Sequence, residues 1–211
     1  MISVSKVRVG VLSVNCYVVT DKASGRTAVI DPGELNGELD ALLQEIGYDK
    51  VDLILLTHGH FDHIGGVKAL KEKTQGRAKV CLYKDEKKLA NDPYLNLSLP
   101  FCGEPLSNTV DVDTELNDGD EIKLGESVFK VLFTPGHTSG GVCYICDHDI
   151  FSGDTLFCRS VGRTDFPTSD MSRMKDSLKK LAALDGDYEV HPGHNSETTL
   201  VIEKACNPYF E

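Results

Sequence analysis

Tryptophan is absent from this chain, methionine occurs three times, and no apolar stretch approaches the length of a membrane span. A transmembrane helix is thereby excluded. Positive charge is also short: 22 Lys and Arg stand against 33 Asp and Glu, a formal net charge of -11. Binding a polyanion needs a basic face whose contacts release counterions, so a nucleic-acid partner is disfavoured. Lys84, Lys87 and Lys88 are the candidates for a local basic patch, and their expected role is a solvated helix face. Linker-like, low-complexity and repetitive segments are missing as well, so residues 1–211 are read as one domain, long enough to bury a core without staples. The first nine residues alternate like a strand and lack the apolar core of a signal peptide, which makes a cytoplasmic protein the expectation. With no export signal, the odd count of seven cysteines reads as reduced thiols. Cys143 and Cys146 have redox or metal spacing, but they sit in a strand-like segment with no second pair, and burial is expected for them.

Histidine is scarce too, and its distribution carries the chemistry. Three of the seven fall in the run Thr57-His58-Gly59-His60-Phe61-Asp62-His63, directly after the apolar stretch 51–56. Imidazoles and a carboxylate are the ligand types that suit zinc, iron and related borderline metals. His137 and His194 occupy matching Pro-Gly-His turns, and Asp154 ends another short apolar run. His148, in an Asp-His-Asp turn, is read as a surface side chain. Cys158, four residues beyond Asp154, is the thiol expected nearest to the site.

The spacing predicts strands over 4–9, 16–20 and 27–31, a helix over 35–46, a buried strand over 51–56 and a helix over 67–73. Strands over 115–123, 128–134, 141–146 and 149–152, a helix over 170–184 and a last strand over 188–190 follow. Each candidate ligand comes directly after one of these strands. That places them at strand ends, where α/β proteins collect ligands because loops can reshape there without disturbing the core. Two strand-rich halves with helices outside imply an α/β fold, a four-layer αββα sandwich of two mixed β-sheets with the metal centre at one edge.

The set His58-x-His60-x-Asp62-His63, His137, Asp154 and His194 resembles the full dinuclear ligand set of metallo-β-lactamase-fold hydrolases, over nearly the whole chain. The resemblance implies that His58, His60 and His137 hold a first metal, that Asp62, His63 and His194 hold a second, and that Asp154 bridges them. Segment 160–167, Ser-Val-Gly-Arg-Thr-Asp-Phe-Pro, is similar to the stretch after the bridging Asp in short glyoxalase II-like hydrolases and in persulfide dioxygenases. The C-terminal stretch, Glu197-Thr198-Thr199 with Glu203 and Asn207-Pro208-Tyr209, is similar to that of the short glyoxalase II-like group. Arg159 stands where that group commonly has glycine, and the chain has no counterpart of the helical C-terminal domain with which full-length glyoxalase II enzymes contact glutathione.

A hydrolase of thioesters such as S-D-lactoylglutathione is therefore expected, with two Zn(2+) (or Fe/Mn) per chain and a small acyl-thiol as its substrate. Metals of this kind lower the pKa of a bound water from about 15.7 toward ~7, and a hydroxide bridging the two metals would attack the carbonyl. Asp62 and Asp154 are the expected catalytic carboxylates, Asp62 orienting the nucleophile. Arg163 is a candidate for a substrate carboxylate or for a structural pair with Asp165, and Arg159 a candidate at the cleft mouth. The alternative is a persulfide dioxygenase with one Fe(2+) on His58, His137 and Asp154.

Overall fold

The computed structural model describes residues 1–106 and 110–210. Alternating β-branched residues build β1 (Ile2–Val9), β2 (Val14–Asp21) and β3 (Thr27–Ile30), an antiparallel meander. The chain then turns helical in α1 (Gly37–Ile46), where Asn36 caps the first turn by accepting from the Leu39 N–H at 2.9 Å, so that Leu35 falls outside the helix. β4 (Val51–Leu55) returns parallel to β3, and the short helices α2 (Phe61–Ile64) and α3 (Val67–Lys73) lead into β5 (Lys79–Tyr83), parallel to β4. Two more short helices, α4 (Lys87–Asn91) and α5 (Ser98–Cys102), precede β6 (Thr114–Leu116). The first sheet runs in the order β1-β2-β3-β4-β5-β6.

The segment 115–123, expected as one strand, is two strands in different sheets. Asn117 donates its backbone N–H to the Asp120 carboxylate at 2.7 Å, and Gly119 adopts φ 82°, a left-handed conformation that glycine enters without penalty. This turn ends β6 in the first sheet and starts β7 (Glu121–Leu124) in the second. β8 (Ser127–Phe133), β9 (Val142–Cys146) and β10 (Asp149–Gly153) continue antiparallel. A small hairpin, β11 (Leu156–Phe157) and β12 (Ser160–Val161), precedes α6 (Met171–Ala182), which Asp170 caps. β13 (Glu189–Pro192) lies parallel to β10, and β14 (Thr198–Thr199) and α7 (Leu200–Cys206) end the fold. The second sheet has the order β14-β13-β10-β9-β8-β7.

The four layers follow from where the apolar side chains go. Tyr17, Ile30 and Leu55 of the first sheet interdigitate with Phe129, Tyr144 and Phe151 of the second, all fully buried. Removing either Phe ring from such a packed interface costs about 3–5 kcal/mol. The first sheet's other face is covered by α1 and α3 through Leu39, Leu43 and Leu70. α6 covers the second sheet through Met174, Leu178 and Leu181. Tyrosine hydroxyls tie the sheets together near the ligand-bearing ends. Tyr144 Oη donates to the Leu56 carbonyl at 2.8 Å, and Tyr17 Oη to the Pro192 carbonyl at 2.9 Å. No helix among the described residues is long and apolar enough to cross a membrane.

Candidate metal centre

Four strand ends deliver the seven predicted ligands to one point. β4 ends just before Thr57 and His58, β8 just before the turn that carries His137, β10 at Gly153 beside Asp154, and β13 two residues before His194. The backbone must pack closely there. A Cβ on Gly193 would come within 2.4 Å of Asp154 Oδ1 and 2.7 Å of His63 Cε1, so only glycine lets the 191–194 turn approach the centre.

His58 Nε2 lies 3.1 Å from His60 Nδ1, and His137 Nε2 lies 3.0 Å from the same nitrogen. On the other side His194 Nε2 is 3.3 Å from Asp62 Oδ2, and His63 Nε2 is 3.7 Å from that same oxygen. Asp154 stands between the two groups. Its Oδ2 is 3.4 Å from His137 Nε2 and 3.7 Å from His194 Nε2, while Oδ1 is 3.5 Å from His63 Nε2. All of these residues are buried except His194, which is partly exposed.

The remaining ring nitrogens are committed elsewhere, and this fixes which lone pairs face inward. His137 Nδ1 donates to the Arg163 carbonyl at 2.8 Å. The Thr57 hydroxyl donates to Asp31 Oδ2 at 2.6 Å, so it accepts from His58 Nδ1 at 3.1 Å. His63 Nδ1 donates to Asp31 Oδ2 at 2.9 Å. His58 and His137 therefore present unprotonated Nε2 atoms to the centre, and His63 turns its Nε2 toward the same point.

Charge sharpens the division. Burial, with repulsion from the neighbouring imidazoles, holds His58 and His60 well below the usual histidine range, and burial also lowers His137. Burial alone would lower His63 and His194, but for His63 the carboxylates of Asp62, Asp154 and Asp31 outweigh it and raise it to about 10. His194 is raised by its hydrogen bond to Asp62 and by Asp154. Asp62 is held well below the carboxylate range: burial opposes this, and the charges of His63 and His194 overcome it.

The donor set fits metal ions. The Nε2 atoms of His58 and His137 lie 3.1 and 3.0 Å from His60 Nδ1, and one proton on that nitrogen cannot satisfy both lone pairs well, whereas a cation among the three would accept all of them. His63 Nε2 and Asp154 Oδ1 are buried without a hydrogen-bond partner, and such groups need one. Asp31 also approaches His58 and His63 closely, but its oxygens are taken by the Thr57 N–H, the Thr57 hydroxyl and His63, which makes it a holder of ligands.

Three supporting residues had escaped the sequence reading. Asp31 stood in a segment read only as a strand end before Pro32-Gly33. Glu86 lay inside the charged cluster 84–88. Lys84, Lys87 and Lys88 are exposed as expected, but the Glu86 side chain is fully buried and accepts from the Gly59 N–H at 2.8 Å and the Gly140 N–H at 2.7 Å, tying the His58–His60 loop to the His137 loop. Burial raises its pKa against the opposing pull of these bonds. Asn15 clamps the last turn, donating its side-chain amide to the Pro192 and Asn195 carbonyls at 2.9 and 3.0 Å. An acid flanked by lysines or an amide in a strand gives no local signal of such roles.

A cavity of about 330 Å³ opens on the centre, lined by His60, Asp62, His137, Asp154, His194, Asn195 and Arg163. Its remaining walls are apolar: Leu12, Phe61, Leu97, Phe101, Phe157 and Phe166. Arg163 reaches the cavity but donates from Nε and Nη2 to Asp165, at 2.8 and 2.7 Å, in an exposed pair, with its guanidinium 4.4 Å from the Phe166 ring centre. Arg159 departs from the expectation. It sits exposed in the turn between β11 and β12, away from the cavity lining, with φ 55°, the left-handed conformation that glycine adopts most readily. Its backbone N–H, rather than its side chain, is used, donating to Glu203 at 2.8 Å. Cys158 shares that exposed turn and does not line the cavity, whereas its neighbour Phe157 does. Cys143 and Cys146 are buried, as expected, and His148 is exposed.

Two mixed sheets packed face to face, with helices outside and a histidine–carboxylate centre at one edge, define an αββα metalloprotein. The family model described as Metallo-beta-lactamase superfamily matches residues 9–194, and the chain belongs to that superfamily of metal-dependent hydrolases. It is 35% identical to the hydroxyacylglutathione hydrolase GloC of Haemophilus influenzae over 93% of this chain and 92% of that one. Among solved structures it is similar to the BLEG-1 B3 metallo-beta-lactamase, with TM-score 0.86, 31% identity and coverage of 98% and 99%. TTHA1623 in a di-iron-bound form gives TM-score 0.81, 34% identity and coverage of 98% and 100%. ETHE1 from Myxococcus xanthus gives 0.76, 29%, and 98% and 83%.

Proposed function

We propose that the chain is a dinuclear metal-dependent thioester hydrolase, for which S-D-lactoylglutathione is the reference substrate. The observation that carries this reading is the second ligand group. His63 Nε2 and Asp154 Oδ1, buried and without hydrogen-bond partners on the side of Asp62 and His194, call for a second cation beside the one that His58, His60 and His137 would hold. The name of the Haemophilus relative supports the substrate class.

When bound, a metal pair supplies an acidified water and Lewis acidity toward the carbonyl oxygen and the departing sulfur. The chain's own residues organise the rest. Asp62, kept ionised by His63 and His194, accepts a hydrogen bond from the attacking water and aims it at the carbonyl carbon. The His60 and His137 side of the cavity receives the carbonyl and its acyl substituent, and the His194 side receives the sulfur. The water gives up a proton to solvent as its oxygen bonds to the carbonyl carbon, the C–S bond breaks, and the thiol leaves as thiolate, so no general acid is required.

A persulfide dioxygenase is the second reading. It is favoured by the likeness to ETHE1 and by Asp154 Oδ2 lying 3.4 Å from His137 Nε2, as part of a two-histidine, one-carboxylate face. Zinc-loaded protein is expected to hydrolyse S-D-lactoylglutathione, and iron-loaded protein to take up no oxygen with glutathione persulfide. Oxygen uptake without thioester hydrolysis would reverse the assignment.

A further inference from the structure

The aromatic wall of the cavity is continuous with the first histidine group. The Phe166 ring centre lies 5.5 Å from that of His60 and 5.8 Å from that of His137, edge-on to both. Phe101 extends the wall, 6.2 Å from Phe166 and 6.1 Å from Phe61. Phe101 is 51% exposed, so its ring face is open to the cavity and to a group bound there. His194, by contrast, meets one phenyl ring among the described residues, Phe157 at 6.1 Å.

Charge recognition is sparse on the same wall. Arg163 is the one Lys or Arg among the described lining residues, and its Nε and Nη2 donors are taken by Asp165. Among the described lining residues neither a hydroxyl nor an amide stands beside Phe101 and Phe166 to receive a polar substituent; the side-chain amide of that lining, Asn195, lies with His194 in the 191–195 turn. A hydroxyl placed against three rings loses its water without gaining a partner, whereas an aryl or alkyl group gains burial and ring contacts.

Resting on the thioesterase reading, we infer that the acyl group of the substrate is apolar and uncharged, of aryl or branched-alkyl size, packed on Phe61, Phe101 and Phe166. A small hydroxyacyl group such as lactoyl leaves this wall uncovered. Phe101 is then a specificity-determining residue: it touches the acyl group and takes no part in the bond changes.

The test compares acetyl, D-lactoyl and phenylacetyl esters of one neutral thiol, N-acetylcysteamine, on zinc-loaded full-length protein and on its Phe101→Ala variant. The exposed position of Phe101 lets the variant fold. Phenylacetyl is expected to exceed D-lactoyl in kcat/KM by about tenfold or more, the range that apolar pocket contacts supply. Phe101→Ala should remove most of that preference, the phenylacetyl ester losing far more in kcat/KM than the D-lactoyl ester and the loss falling on KM. A D-lactoyl ester cleaved as well as or better than phenylacetyl, or a preference that survives in Phe101→Ala, would overturn the inference and leave the thioesterase reading standing. Failure to cleave any of the three esters, or S-D-lactoylglutathione, would remove that reading and the inference with it.

Discussion

Asp31 and His63 form a fully buried pair, Oδ2 to Nδ1 at 2.9 Å, and the same carboxylate also holds the Thr57 hydroxyl and backbone N–H, at 2.6 and 2.8 Å. One side chain at the end of β3 thus orients a ligand from each group: His63 directly, and His58 through Thr57.

Asp31→Ala should weaken metal binding by about 10- to 100-fold, the usual effect of removing a ligand's hydrogen-bond partner, and more strongly at the His63 side. Equilibrium titration with a competing chelator measures it. Parental affinity for both equivalents would show that His63 is oriented by something else.

Glu86 acts on the opposite side of the centre. Glu86→Ala leaves the buried Gly59 and Gly140 N–H groups without acceptors, each at a cost of about 1–3 kcal/mol. Denaturant unfolding of the metal-free variant should show that loss. Glu86→Gln, which keeps one acceptor, should recover part of it, and an unchanged midpoint in the alanine variant would contradict the role.

Proton release separates the two ligand groups. In the metal-free chain the carboxylates around His63 keep it protonated at neutral pH, whereas burial keeps His58 and His60 neutral. Metal entering the His63 side must displace a proton, and its affinity should rise with pH up to the region of the raised His63 value; metal entering the His58 side displaces none. Calorimetry in two buffers of different ionisation enthalpy should find one equivalent releasing about one proton more than the other. Equal release would refute the division.

Much of this was legible in the sequence because the ligands cluster at strand ends. The run 57–63 and the two Pro-Gly-His turns announce themselves locally, alternation marks the meander β1 to β3, and an apolar run marks β4. What escaped depends on distance along the chain. Asp31 serves His63 from 32 residues away, and Glu86 reaches Gly140 across 54. β5 is a short buried strand whose partners, β4 and β6, lie far apart in sequence, and the break at 117–120 rests on turn chemistry that the strand pattern of 115–123 hid. Arg159 was misplaced because its left-handed backbone, which explains why glycine suits that position, points to a turn and says nothing of the side chain.

Asp154→Ala should abolish hydrolysis and lower metal at both positions, since Oδ2 faces His137 and His194 while Oδ1 faces His63. Metal analysis alongside the thioester assay checks this; near-full metal content with normal turnover would refute the bridging role.

The most direct measurement is the metal content of His194→Ala after loading and gel filtration, set against the parent protein and His58→Ala. Two ligand groups sharing one carboxylate predict about two metals per chain in the parent and about one in His194→Ala, with most thioesterase activity lost. A single iron in the parent that His194→Ala retains in full would contradict the dinuclear account.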